Sequence, residues 1–337
     1  MVRRGAVLLS LIVSSGALTA APKLNFDLAV LRRDGIMIPF AAFNGHEWST
    51  PWPTSDENVA LPIALDDVPK KWWGPETPSA VWTAWMVSDG SHQPLKLEKP
   101  AQVRVFCGGH IGVKTNYTGE SVDERAPSVP KDALVVGASA DAVPVEPILA
   151  ISLYSQDAAR VVKSITDEFN KQEAEAVKRF TNWVHPYSAK DRAAMPIELE
   201  AFYRSREKTT KHGEWLVSYV EAIRRFPAGP YDKDCGLITW VRGWVIEREG
   251  NPPELHLTAR VTYCDREGVS FMQPLGHLSI DGENYWVYQM SSWRDEVYTV
   301  ARIADAGDGR RTRAGGPDDV RPILNIFGGG CPKDAVK

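Results

Sequence analysis

The sequence predicts a mainly β protein, α+β by element count, in which two antiparallel β-rich domains of sandwich or barrel type are joined by one amphipathic helix. Three observations carry this. Short runs rich in Val, Ile, Phe, Tyr and Trp recur along the chain, separated by turn dipeptides such as Asp34-Gly35, Asp89-Gly90 and Asp281-Gly282. One long segment after Ser155 instead repeats its apolar residues at helical spacing. The chain of 337 residues, less a leader, fits two domains at about 150 residues each. The expected divisions are a signal peptide over 1–20, an N-terminal β-domain over 21–150, a connecting helix over 151–186, a C-terminal antiparallel β-domain over 187–303 and a flexible tail over 304–337.

The leader comes first. Arg3 and Arg4 give a basic start, residues 5–17 are apolar without a charge, and Leu18-Thr19-Ala20-Ala21 supplies small residues before Pro22. This is the layout of a secretory signal peptide cleaved after Ala20 or Ala21. The apolar run is too short to span a bilayer, which takes about 20 residues. A secreted protein is therefore expected, extracellular or periplasmic, with no membrane span in the mature chain.

The N-terminal β-region opens with a hairpin. Residues 28–33 and 36–43 are strand candidates around Asp34-Gly35, and Asn44-Gly45 makes a second turn before Trp48. Pro39 places its strand at an edge or a bulge, because proline donates no ladder hydrogen bond. Residues 49–80 are crowded with Pro and Trp and read as an ordered irregular excursion. Strands return over 81–87, 101–107 and 133–137, with a polar loop over 119–131.

The helix is the clearest single element. Ser155 caps it, Val161, Val162, Ile165, Phe169, Val177, Phe180 and Val184 form one stripe, and His185-Pro186 stops it. Opposite charges at Asp167 with Lys171 and Glu175 with Arg179 suit its solvated side. Beyond it, strands are expected over 197–203, 215–226, 236–247, 254–264, 270–279, 285–290 and 296–303. Residues 323–327 offer a last strand before the glycine run at 328–330.

Composition narrows the function. The chain has 39 basic and 43 acidic side chains, net −4, and loss of Arg3 and Arg4 takes it to −6. With no long run of one sign, neither nucleic acid nor an anionic membrane surface is favoured as a partner. Four cysteines remain after the leader, Cys107, Cys235, Cys264 and Cys331, and an even count in an exported protein favours disulfides. Cys235 with Cys264 is the expected pair, being closest in sequence and bordering two strands, which leaves Cys107 for Cys331. Cys107-Gly-Gly-His110 lacks the second ligand pair of a zinc site, so no metal and no cofactor is expected.

No catalytic motif is present: there is no nucleophile elbow, zincin helix, phosphate loop or dinucleotide fingerprint. Glu198 and Glu200, two apart on a strand, and Glu47 beside His46 are the carboxylates that could serve glycoside hydrolysis, although a solvated strand face explains the first pair better. Tryptophan is the real excess. Six of twelve fall between residues 48 and 85, and Trp52, Trp72 and Trp73 on the proline-stiffened excursion are the candidate ligand-binding rings, suited to a carbohydrate or an extended peptide. The reading favoured by the sequence is a non-catalytic secreted binding or surface protein; the alternative is a secreted hydrolase of a polysaccharide or cell-wall polymer.

Overall fold

The structure, a computed structural model, describes residues 24–54, 59–74, 81–105, 108–119, 131–180, 184–209, 213–227, 236–292, 295–304 and 319–331. The first hairpin joins β1 (Phe26–Arg32) to β2 (Ile36–Phe43) through the expected turn. Gly35 there has φ +80, and a Cβ would fall 2.2 Å from the Tyr117 carbonyl oxygen, so only glycine fits. β3 (Trp48–Ser49), β4 (Trp82–Met86), β5 (His92–Leu95), β6 (Leu97–Val105), β7 (Gly108–Thr115) and β8 (Lys131–Val136) complete an antiparallel N-terminal sheet, ordered β5-β4-β8-β1-β2-β7-β6 with β3 on β2.

Two short strands, β9 (Val145–Glu146) and β10 (Leu149–Ala150), lead into α1 (Gln156–Arg179) and α2 (Ala189–Ala194). Four long strands follow: β11 (Glu198–Thr209), β12 (Gly213–Arg225), β13 (Leu237–Arg248) and β14 (Glu254–Tyr263). The last four are β15 (Phe271–Ile280), β16 (Glu283–Ser291), β17 (Asp295–Ile303) and β18 (Val320–Gly330). They pair as two further antiparallel sheets, β10-β11-β12-β13-β14 and β18-β17-β16-β15-β9. The protein is thus mainly β and antiparallel with one long helix, as the sequence predicts.

Side-chain alternation stacks these sheets. Leu28 and Val30 of β1 pack with Leu278, Tyr285, Val287, Tyr298 and Val300, so the N-terminal sheet covers one face of the sheet β9/β15–β18. The other face of that sheet buries Trp286, Tyr288 and Ala301 against Trp215, Val217 and Tyr219 of β12. Val220 and Ala222, on the far side of β12, pack under Val161, Ile165 and Phe169 of α1. The sheet β9/β15–β18 is therefore central, with a neighbour on each face, and α1 backs the sheet β10–β14. Strands on either side of residues 151–186 share one core.

Local rules hold in detail. Ser155 accepts from the Ala158 amide at 3.1 Å, capping α1. Pro39 and Pro274 sit beside register shifts, and Pro94, Pro100 and Pro322 lie on outer strands. Three departures have clear causes. The helix ends at Arg179, short of His185-Pro186, with Phe180 as its cap, so Val184 leaves the stripe and is exposed. α2 forms on its own Ser188 cap. Part of the tail expected to be flexible is β18, which runs the length of β17.

The aromatic excursion overturns an expectation. Trp52, Trp72 and Trp73 are 4%, 6% and 3% exposed and cover the outer face of the N-terminal sheet with Trp82, Ala29, Leu31 and Val135. Trp52 lies 5.3 Å from Trp72 and 4.8 Å from Trp73, centroid to centroid, and its indole N–H donates to the Ile111 carbonyl at 2.8 Å. Their faces are used up on one another, so these rings form a core rather than an open ligand platform. The physical reason is the sheet itself: its small outward residues, Ala29, Ala84 and Ala133, leave a depression that large rings fill.

Cys264 and Cys331 are placed, and among the described residues no cysteine is free; Cys107 and Cys235 lie outside them. The Cys264 amide donates to the Gly236 carbonyl at 3.1 Å, one residue from Cys235. Gly329, two before Cys331, lies against Val105, two before Cys107.

Truncating a buried Trp costs about 3–5 kcal/mol. Trp72→Ala and Trp73→Ala should each lower the urea midpoint by an amount of that order, and the pair should prevent accumulation of folded protein. Unchanged unfolding curves would show that the rings lie open.

Candidate functional site

β14 is the outer strand of the helix-backed sheet, and its ladder fixes which backbone groups are free. The Cys264 amide bonds Gly236, and the Phe226 amide bonds the Leu237 carbonyl at 2.9 Å. Carried along the register Arg242↔Thr258 and Trp240↔Arg260, this parity turns even-numbered residues of β14 toward β13. Leu257, Ala259 and Val261 therefore direct N–H and C=O to the open edge, where no described residue bonds them.

A groove of about 460 Å³ runs along this edge. Arg179 and Phe180 at the end of α1 form one wall. Arg242, Thr258 and Arg260 with Ser270 form the other, and Ala259 and Val261 belong to the strand between them. The Arg260 guanidinium lies directly on Gly268, where φ is +73 and a Cβ would sit 2.4 Å from it, so glycine makes the space that Arg260 occupies. Arg242 donates to the Ser270 carbonyl at 3.1 Å. Arg179 donates to the Glu175 carbonyl at 3.3 Å, while the Glu175 carboxylate takes Lys178 at 2.6 Å instead of the expected Arg179.

None of these three guanidinia has a carboxylate within ion-pair distance among the described residues. That sets them apart. Arg204 reaches Asp157 and Glu247 at 2.9 Å, Arg224 reaches Glu173 at 2.7 Å, and Arg225 and Arg266 both reach Glu200 at 2.7 Å. The groove thus gathers positive charge, and no acidic residue is among the described residues that line it. Paired donors of this kind suit carboxylate, phosphate or sulfate.

Behind the groove stands Glu221, the cross-strand neighbour of Arg242 and only 3% exposed. Its carboxyl accepts the Met272 amide at 2.6 Å. Burial pushes its pKa up to about 7, with Glu200 adding to the rise, against the Met272 amide, Arg242 and Arg266, which favour the ionised form. Near neutrality it is about half protonated, so Arg242 is only partly compensated.

The sequence-selected carboxylates do not form a cleft. Glu198 and Glu200 are clamped by Arg225 at 3.3 and 2.7 Å on the helix-backed sheet, remote from the tryptophans that cover the N-terminal sheet. Glu47 is exposed in a turn with Asn44. A Ser, His and Glu do meet, between the central and helix-backed sheets. Ser205 donates to Glu207 and accepts the Trp286 indole N–H at 2.8 Å, and Asn284 donates to Glu207 at 2.7 Å. His277 approaches Glu207 at 3.3 Å, but it does not reach Ser205. Burial opposes ionisation of Glu207, yet His277, Ser205 and Asn284 outweigh it and hold the carboxyl below its usual range. Nucleophile and base are thus separate, and all are enclosed, which is a structural network and not a hydrolytic triad. Among the described residues no group of three or more His, Cys, Asp or Glu is arranged to hold a metal ion.

Sequence reasoning missed Arg179, Arg242 and Arg260. The available signal was an arginine inside each of two apolar strands, at Val241-Arg242-Gly243 and Ala259-Arg260-Val261. Their convergence with the helix end depends on the edge position of β14, which no local pattern encodes. No known protein family, curated protein or solved structure matches the chain.

The raised pKa of Glu221 fixes a sign. Below its ordinary value of 4.5 folded and unfolded chains both carry the proton. As pH rises toward about 7 the unfolded chain ionises first, so the stability contribution present at low pH is lost through this window, up to roughly 3 kcal/mol. Burial also pushes Asp27, beneath the tryptophan layer, up to about 7 and acts in the same direction. Glu221→Gln should flatten the fall of melting temperature between pH 5 and 8. A slope unchanged in that variant and in Asp27→Asn would contradict the assignment.

Proposed function

We propose that the protein is an exported, non-catalytic binding protein whose ligand is anionic and docks beside β14. The observation that carries the reading is that Arg179, Arg242 and Arg260 line one groove with no carboxylate within ion-pair distance among the described residues. Glu221 offsets only part of the charge of Arg242, and an anion seated between the two walls would gain charge-assisted hydrogen bonds of about 1.5–3 kcal/mol each. The carbohydrate or peptide ligand read from the sequence thus moves from the tryptophan excursion to an acidic ligand at the arginines. A hydrolase of a cell-wall polymer has less behind it, since Glu198 and Glu200 are neutralised by arginines and Glu207 is enclosed.

Export rests on the leader-like segment at 1–20 and on the cysteines. The Cys264–Gly236 ladder bond supports a Cys235–Cys264 disulfide, and the contact of Gly329 with Val105 supports Cys107–Cys331. Non-reducing peptide mapping of exported protein should recover both linked pairs and a chain starting at Ala21 or Pro22. Any other pairing, or retention of Met1, would reject this part of the reading.

For binding, poly-L-glutamate and heparin serve as probes in titration calorimetry at low salt. At least one should bind with salt-dependent affinity, and Arg242→Gln with Arg260→Gln should weaken it about ten-fold or more. Failure of both polyanions to bind, or indifference to the two substitutions, would overturn the proposal.

A further inference from the structure

Resting on that reading, we propose that the ligand is an extended acidic peptide segment of another protein, which adds to β14 as a further strand of the helix-backed sheet. The groove offers more than charge. Leu257, Ala259 and Val261 present N–H and C=O groups that no described residue bonds, at a spacing of two residues, the repeat that an incoming strand satisfies. A sugar polyanion has no matching row of alternating donors and acceptors.

The walls then specify the side chains. Successive residues of an added strand point to opposite faces. One set meets Arg260 and Arg242, and the other meets the end of α1 at Phe180 and Arg179. Acidic residues at every second position therefore face two guanidinia, while the intervening positions take an apolar or acidic side chain. A second copy of this chain is the competing occupant, and the guanidinia lining the groove favour an acidic strand over it.

The probe is a peptide of about nine residues alternating glutamate and valine. It is compared with the same peptide N-methylated at every second backbone nitrogen on the pairing edge, and with a lysine–valine peptide. The glutamate peptide should bind the intact protein and slow amide exchange at Leu257, Ala259 and Val261. N-methylation, which keeps charge and removes ladder donors, should weaken it about ten-fold or more, and the lysine peptide should not bind. Ala259→Pro removes one edge-facing N–H without touching the ladder to β13; it should weaken the peptide while leaving heparin binding intact.

Equal binding of the N-methylated and parent peptides would overturn strand addition and leave the anion site standing. Polyanion binding with no glutamate-peptide binding would do the same. Absence of any anion binding would remove both readings. Concentration-dependent dimerisation that protects the same three amides would assign the edge to a second copy and overturn the peptide.

Discussion

Everything in this fold hangs on a central sheet that has a neighbour on each face. Tyr285, Val287, Tyr298 and Val300 point into the N-terminal sheet, while Trp286, Tyr288 and Ala301 point into the helix-backed sheet. Such strands give up the usual division into an apolar and a wet face, and the run Tyr285-Trp286-Val287-Tyr288 is the result. Burial on both sides also makes register strict, since a slip of one residue exchanges the two faces.

A sheet enclosed in this way has to satisfy every polar group from within. Glu296 does so through Lys131 at 3.1 Å to each oxygen, Gln289 at 3.1 Å and the Tyr298 hydroxyl. Burial drives the Lys131 ammonium down and Glu296 pulls it back up. Because Lys131 comes from β8 and Glu296 from β17, the pair ties the N-terminal sheet to the central one. Removing one partner would leave an enclosed charge, which is the expensive outcome for buried pairs. Glu207 plays the matching part on the opposite face, tied to Ser205, Asn284 and His277. The three arginines that line the groove beside β14 have no comparable ion pair among the described residues.

Much of the fold was legible because it is written locally. The Asp34-Gly35 turn, the Ser155 cap, the stripe Val161, Ile165 and Phe169, and the placement of Pro39 at a bulge each depend on a few neighbouring residues. The strand over Gly213–Arg225 carries Leu216, Val220 and Ile223 at helical spacing, yet it pairs on both sides, as its β-branched and aromatic residues fit a ladder. The tryptophans illustrate the opposite case. Whether a ring on a proline-rich segment lies open or closed depends on what it lands against, and here it lands on the alanines of β1, β4 and β8.

The sequence by itself determined the antiparallel, mainly β class, the single long helix and the absence of a recognisable catalytic spacing, because periodicity, capping and turn chemistry act over a few residues. Only the tertiary structure decided how the strands stack, which tryptophans close into a core, and that Arg179, Arg242 and Arg260 line one groove. Those residues come from a helix end and two strands, and what joins them is the edge position of β14. An edge is a property of the whole sheet: it exists where pairing stops, and nothing in the local composition of residues 254–263 records that β14 is the outer strand among those described.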